Sequence, residues 1–219
     1  VGHPLLDDVK RKYSTDDACR KFSVDAEQIK IALLPGSRNS EITLLLPEML
    51  KAADTIGKII PGAQFVLPLA DSIPESMVAG IINRHPVKVS VVRHDTYDAI
   101  GISDLVIVAS GTATLETALL EKPMIIVYKV SLLTYFVGRM FVRVENIGLP
   151  NIISGRLIVP ELLQDDATAD KIASEALDIL TNEKRRLVMQ KDLARIKLML
   201  GESGAAGRAA GLALDMIGA

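Results

Sequence analysis

Two short stretches combine small residues, hydroxyls and a charge in the way an anion-binding loop requires. The first is Leu34-Pro35-Gly36-Ser37-Arg38. Gly36 lets the backbone approach an anion, Ser37 offers a hydroxyl, and Arg38 carries a planar fork of donors that grips a phosphate through two bonds. The plain alternative is a turn with a solvated arginine. The second stretch is Ser110-Gly111-Thr112-Ala113-Thr114-Leu115-Glu116. Small residues opening a helix leave its first N–H groups free, at the positive end of the helix dipole. Glu116, about one turn further on, is placed to accept both hydroxyls of a ribose, although charge compensation at the helix start accounts for it equally well. Two such loops favour a diphosphate. Neither fits the G-x-G-x-x-G dinucleotide pattern or the Walker pattern, so those ligand classes fall away.

Other candidates are weaker. Asn151 lies in Leu149–Arg156, a polar stretch read as a loop between apolar segments, where it either bonds a sugar hydroxyl or holds a turn. His3, His85 and His94 lack metal-ligand spacing and no Cys/His cluster accompanies them, so no metal site is expected. His94 stands apart because it follows a strand on the ligand side. Cys19, in a polar stretch, is read as inert. Tyr128–Arg143 holds four of the eight aromatics together with Arg139 and Arg143. An apolar, aromatic and basic helix lies on an anionic membrane surface or lines an acyl-chain path; a core-facing helix is the competing reading.

The elements that position these loops follow from hydrophobic periodicity. Apolar runs at 31–34, 64–68, 87–92, 105–109 and 124–128 read as buried strands, separated by helical patterns at 41–60, 73–84, 97–103 and 113–120. In the first helix, Ile42, Leu45, Leu46, Met49, Leu50, Ala53 and Ile56 recur at spacings of three and four, forming one face. Near-continuous apolar strands alternating with helices predict an α/β fold, a doubly wound parallel sheet covered on both faces. In such sheets ligands sit outside the carboxyl ends of the strands, where both loops fall. Residues 1–30 read as a lead-in segment, 31–164 as the sheet domain, and 165–219 as three helices near 170–180, 182–199 and 203–217.

Composition removes other classes. The 219 residues are 49% apolar and 24% charged, with a net charge of −2. That balance excludes a disordered chain and gives no nucleic-acid footprint. A single cysteine fits a reducing compartment. No uninterrupted apolar run reaches the length of a spanning helix, and no secretory signal opens the sequence.

The stretches VGHPLLD at 1–7, LPGSR with Glu41 at 34–41, SGTATLE at 110–116 and LPNIISGR at 149–156 together resemble the lipid-A-disaccharide synthases, inverting glycosyltransferases of the two-domain GT-B architecture. The resemblance covers most of the chain, in the family's order. It implies that the sheet is one Rossmann-like half of a GT-B fold, the C-terminal, donor-binding half. It implies a UDP-2,3-diacylglucosamine donor, a 2,3-diacylglucosamine 1-phosphate (lipid X) acceptor and release of UDP, with no metal or other cofactor. Gly36, Ser37 and Arg38 then match the phosphate-side loop. Ser110, Gly111, Thr112 and Glu116 match the diphosphate and ribose contacts, and Asn151 the active-site asparagine. Arg38 and Asn151 are the expected catalytic groups. The resemblance implies a preceding domain that carries the base; the sequence itself assigns that role to none of Asp7, Asp8, Asp95 or Asp98. The resemblance also implies C-terminal helices that pack on that domain and a cytoplasmic location on the inner face of the bacterial inner membrane. A subunit interface of a homodimer is a third reading of Tyr128–Arg143. The alternatives are another UDP-sugar GT-B enzyme, such as an epimerase or a peptidoglycan N-acetylglucosaminyltransferase, and a nucleotide-binding module without chemistry.

Overall fold

The structure, a computed structural model, describes residues 2–130 and 146–217. Its centre is a six-stranded sheet, all parallel: β1 (Lys30–Leu34), β2 (Gln64–Leu69), β3 (Val89–Arg93), β4 (Leu105–Ala109), β5 (Met124–Tyr128) and β6 (Glu161–Leu163). The order is β3-β2-β1-β4-β5-β6, the doubly wound order with its reversal between β1 and β4. Those two strands run side by side from Ile31↔Leu105 to Leu34↔Val108. Every residue of both is buried, which is why they read as unbroken apolar runs rather than alternating ones.

Helices cover both faces. α1 (Leu5–Asp8) and α2 (Thr15–Phe22) precede the sheet, and α3 (Asn39–Ile59), α4 (Glu75–Ile82), α5 (Thr96–Ile102) and α6 (Thr112–Leu119) follow the first four strands. α7 (Leu149–Ser154) leads to β6, and a 3₁₀ turn at Gln164–Asp166 leads to α8 (Ala169–Thr181), α9 (Glu183–Met199) and α10 (Ala205–Ile217). On α3 the seven apolar positions of the expected face are all buried.

Three expectations change. Residues 15–22, read as part of a lead-in segment, form a helix with Ser14 as its cap, accepting from the Asp17 N–H at 3.1 Å. Its Ala18, Cys19 and Phe22 join the hydrophobic core, packed on α5. The stretch Leu149–Ser154, read as a loop, is a helix: Pro150 lies in its first turn, where a missing N–H costs nothing. Beyond residue 165 the helices do not form a separate unit. α8 lies along α3 and buries Ile172, Ala173, Ala176 and Ile179, with its first N–H, from Ala169, bonded to Glu48 Oε2 at 2.9 Å. α9 packs on α6 and α7 through Met189, Leu193 and Ile196. α10 alone is largely exposed, with Leu212, Leu214 and Met216 open to solvent.

Candidate functional site

Strand order alone places a crevice between the carboxyl ends of β1 and β4, because the connections leave in opposite directions there. A cleft of about 370 Å³ opens at that point, walled on one side by Gly36, Ser37 and Arg38 and on the other by Ser110, Gly111, Thr112 and Glu116. All seven residues assigned to the two loops thus meet in one cavity.

The β1–α3 loop is built around an acidic side chain. Gly36 has φ +113°, a region open to glycine and strained for other residues. A Cβ there would lie 2.1 Å from Glu41 Oε2. That oxygen accepts from the N–H groups of Ser37 (2.9 Å) and Arg38 (3.2 Å), while Oε1 accepts from the Arg38 guanidinium at 2.7 Å. The anion held by this loop is therefore Glu41, at the start of α3. The Arg38 side chain remains 78% exposed, so it turns outward at little cost, since exposed ion pairs contribute only about 0–1 kcal/mol. Ser72 Oγ donates to the Ser37 carbonyl at 2.8 Å, tying this loop to the one after β2.

The β4–α6 loop is open. Gly111 adopts φ +150°, which again requires glycine. Gly111 and Thr112 are exposed, and the first N–H groups of α6 stand outside the helical ladder. Ser110 is fixed from behind, its N–H on the Val127 carbonyl (2.9 Å) and its Oγ on the Ile147 carbonyl (3.2 Å). Glu116, half-buried on α6, accepts from the Tyr97 hydroxyl at 3.1 Å. Burial raises the Glu116 carboxyl above its usual range, partly offset by that bond. Burial and the neighbouring Glu116 charge push the Tyr97 phenol up to about 12. Tyr97 went unnoticed in the sequence; its signal is its place at the start of the helix after β3, on the ligand side.

A second hollow of about 350 Å³ adjoins the cleft, sharing Ala70, Thr96 and Glu116 and adding Lys10, Lys12, Asp71, His94, Asp95 and Tyr97. His94 lies on its rim with φ +63°, its Nδ1 3.2 Å from Asp71 Oδ1. Most acidic candidates for a base are engaged. Asp95 pairs with Lys21 (2.8 Å) and Lys12 (3.0 Å), which hold its carboxyl below the usual range. Asp98 Oδ1 accepts from the N–H groups of Lys12 and Tyr13, both at 2.9 Å. Asp7 accepts from the Gly204 N–H at 2.8 Å, and Asp8 is exposed on α1.

Asn151 requires correction. It does not line the cleft; it is 0% exposed on α7. Its Nδ2 donates to the Val159 carbonyl (2.9 Å) and Glu161 Oε1 (2.7 Å), and its Oδ1 accepts from the N–H groups of Ile158 (2.8 Å) and Val159 (3.0 Å). All four hydrogen-bonding positions of the amide are thereby used. Asn151 holds the chain between α7 and β6. Of the Tyr128–Arg143 window, Tyr128 ends β5 partly buried, while 131–143 lie outside the described residues. Cys19 is buried and burial pushes its thiol up, away from reactivity. Among the described residues no group of three His, Cys, Asp or Glu side chains is arranged to hold a metal ion.

The family model described as lipid-A-disaccharide synthetase matches residues 1–213. A lipid-A-disaccharide synthase of Syntrophus aciditrophicus is 47% identical over 99% of this chain and 57% of its own length. The enzyme of that name from Geobacter sulfurreducens is 41% identical over 100% of this chain, again 57% of its own length. The chain thus spans a little over half the length of the curated relatives it matches. Among solved structures, the S. aureus MnaA–UDP co-structure superposes with a TM-score of 0.65 at 12% identity, over 99% of this chain and 54% of that one. At that identity the likeness speaks for the fold alone: one Rossmann-like half of a GT-B protein. With its family's model matched from end to end of the described sheet, this chain belongs to the lipid-A-disaccharide synthetase family.

Proposed function

We propose that the chain is the donor-binding half of a glycosyltransferase that joins UDP-2,3-diacylglucosamine to 2,3-diacylglucosamine 1-phosphate and releases UDP. One observation carries the reading: two anion-suited loops face each other across the β1/β4 crevice, with a half-buried carboxylate one turn behind the second. The UDP in the S. aureus MnaA co-structure supports the nucleotide class on a shared fold.

In this reading the diphosphate lies against the N-terminus of α6, where the N–H groups after Gly111 and the helix dipole meet its charge. Glu116 accepts the ribose hydroxyls with Tyr97 steadying it, and the base extends into the hollow beside His94. As the anomeric bond breaks, negative charge grows on the departing UDP. Arg38 leaves Glu41 and neutralises that charge, and the preset N–H groups of α6 act without reorganisation. Transfer also requires the acceptor hydroxyl to lose a proton. Asp95 is held by two lysines and Asp98 Oδ1 by two backbone N–H groups, and the reading puts the proton acceptor in the remainder of the full-length enzyme. No metal takes part, so chelator leaves turnover unchanged.

The working location in this reading is the cytoplasmic face of the inner membrane, reached peripherally. Among the described residues no helix is long and apolar enough to cross a membrane. The test is turnover of the full-length enzyme carrying Arg38→Ala with the two lipid substrates. A fall of about 10- to 100-fold is expected for one lost charge-assisted contact, and near-wild-type turnover would remove Arg38 from the mechanism.

A further inference from the structure

A line of hydrogen bonds leaves the cleft wall and ends on the outermost strand of the sheet. Ser110 Oγ donates to the Ile147 carbonyl at 3.2 Å. The N–H of Ile147 donates to Glu161 Oε2 (2.9 Å), and the N–H of Gly148 to Glu161 Oε1 (2.9 Å). The Asn151 amide adds a third donor to Oε1 at 2.7 Å. Glu161 stands on β6 beside Ile126 of β5 and does not line the cleft. The fit is close: a Cβ on Gly148 would lie 2.2 Å from Ile126 Cδ1 and 3.0 Å from Glu161 Oε1.

We infer that Glu161 is a positioning residue for the Ser110-Gly111-Thr112 loop, acting through the Ile147 carbonyl, with Asn151 as its support. The chemistry requires an acceptor without donors, because three N–H groups converge on the carboxylate. A glutamine at this position would set its own NH₂ against one of them. With that bond lost, the Ile147 carbonyl is free to shift, and the Ser110 hydroxyl moves with it. The inference rests on the proposed diphosphate site and names a residue behind it that touches no ligand.

A double-mutant cycle on the intact protein tests it, with UDP binding read by calorimetry and thermal unfolding recorded for every variant. Glu161→Gln should weaken UDP binding about 10-fold, and about 2-fold or less when Ser110 is already alanine, because coupled sites are non-additive. A merely structural role lowers the melting temperature and gives the same fold-loss in both backgrounds. That additivity would overturn the inference, as would unchanged affinity in Glu161→Gln. If Glu161→Gln does not fold, Glu161→Asp keeps an acceptor-only carboxylate on a shorter stem and enters the same cycle. Non-additive losses are again expected, and additive ones count against the role. Absence of UDP binding in the unmutated protein would instead defeat the proposed function.

Discussion

Replacing Asn151 with alanine separates two roles that the sequence left open. The side chain is 0% exposed and makes four hydrogen bonds. Truncation strands the N–H groups of Ile158 and Val159 and the Val159 carbonyl, and takes one of three donors from the Glu161 carboxylate. A buried group left unpaired costs about 1–3 kcal/mol, and the sum after partial relaxation is roughly 3–5 kcal/mol. For a chain of this size each kcal/mol moves the melting temperature by about 2–4 °C. Asn151→Ala should therefore melt roughly 6–20 °C below the parent in thermal unfolding followed by circular dichroism at fixed pH and concentration. A fall under about 2 °C combined with loss of UDP binding would refute the reasoning, because it would make the amide a ligand contact.

Three further outcomes follow from the cleft. Arg38→Ala should weaken UDP binding about 10-fold or more while leaving the melting temperature within about 1–2 °C, because the side chain is 78% exposed; calorimetry and unfolding of one preparation decide it. Gly36→Ala should disrupt the first loop, its methyl group falling 2.1 Å from Glu41 Oε2 at φ +113°, and should lower UDP affinity together with stability. Unchanged affinity would show that this loop does not touch the nucleotide. Glu116 sits at a carboxyl raised mainly by burial. Its contribution to stability is full below the unfolded value near 4.5 and is lost as pH rises through the folded value. Glu116→Gln should thus be more stable than the parent at pH 7, lose that advantage below about pH 4.5, and bind UDP more weakly. Equal stability of the two proteins across that range would contradict the burial argument.

Much of this arrangement is legible from residue types. The runs at 31–34, 105–109 and 124–128 read as strands because a parallel sheet covered on both faces buries consecutive apolar residues over such short lengths. Small residues directly after two of them mark where the chain must turn into a helix with its N–H groups bare. What stays hidden depends on partners distant in sequence. α2 looks polar, with Asp16, Asp17, Arg20 and Lys21 on its outer face, and only its contact with α5 shows why Ala18, Cys19 and Phe22 recur as they do. The amphipathic pattern of α8 predicts a helix but not that α3 covers it. Asn151 is the sharpest case. An asparagine between a proline and a glycine reads as a turn or a contact, whereas its four partners come from strand-side residues 158–161. Glu41 is similar: a carboxylate three residues beyond Arg38 is visible in sequence, but its occupation of the loop's own donors appears only with the fold.

That occupation shapes the expected chemistry. Before ligand binds, the donors of Ser37 and Arg38 are satisfied by Glu41, so the first loop is held in shape without a nucleotide. The second loop has no comparable internal anion and carries its bare N–H groups beside Glu116. In the proposed reaction the labour is divided: α6 holds the diphosphate from the start, and Arg38 joins as charge develops.

Titration of the protein with UDP in a calorimeter tests this account most directly. It predicts saturable heat at one site per chain, retained in the presence of chelator and weakened by Glu116→Gln and Arg38→Ala alike. No saturable heat up to millimolar UDP, or saturable heat that both substitutions leave unchanged, would contradict the assignment of the β1/β4 cleft as the donor site.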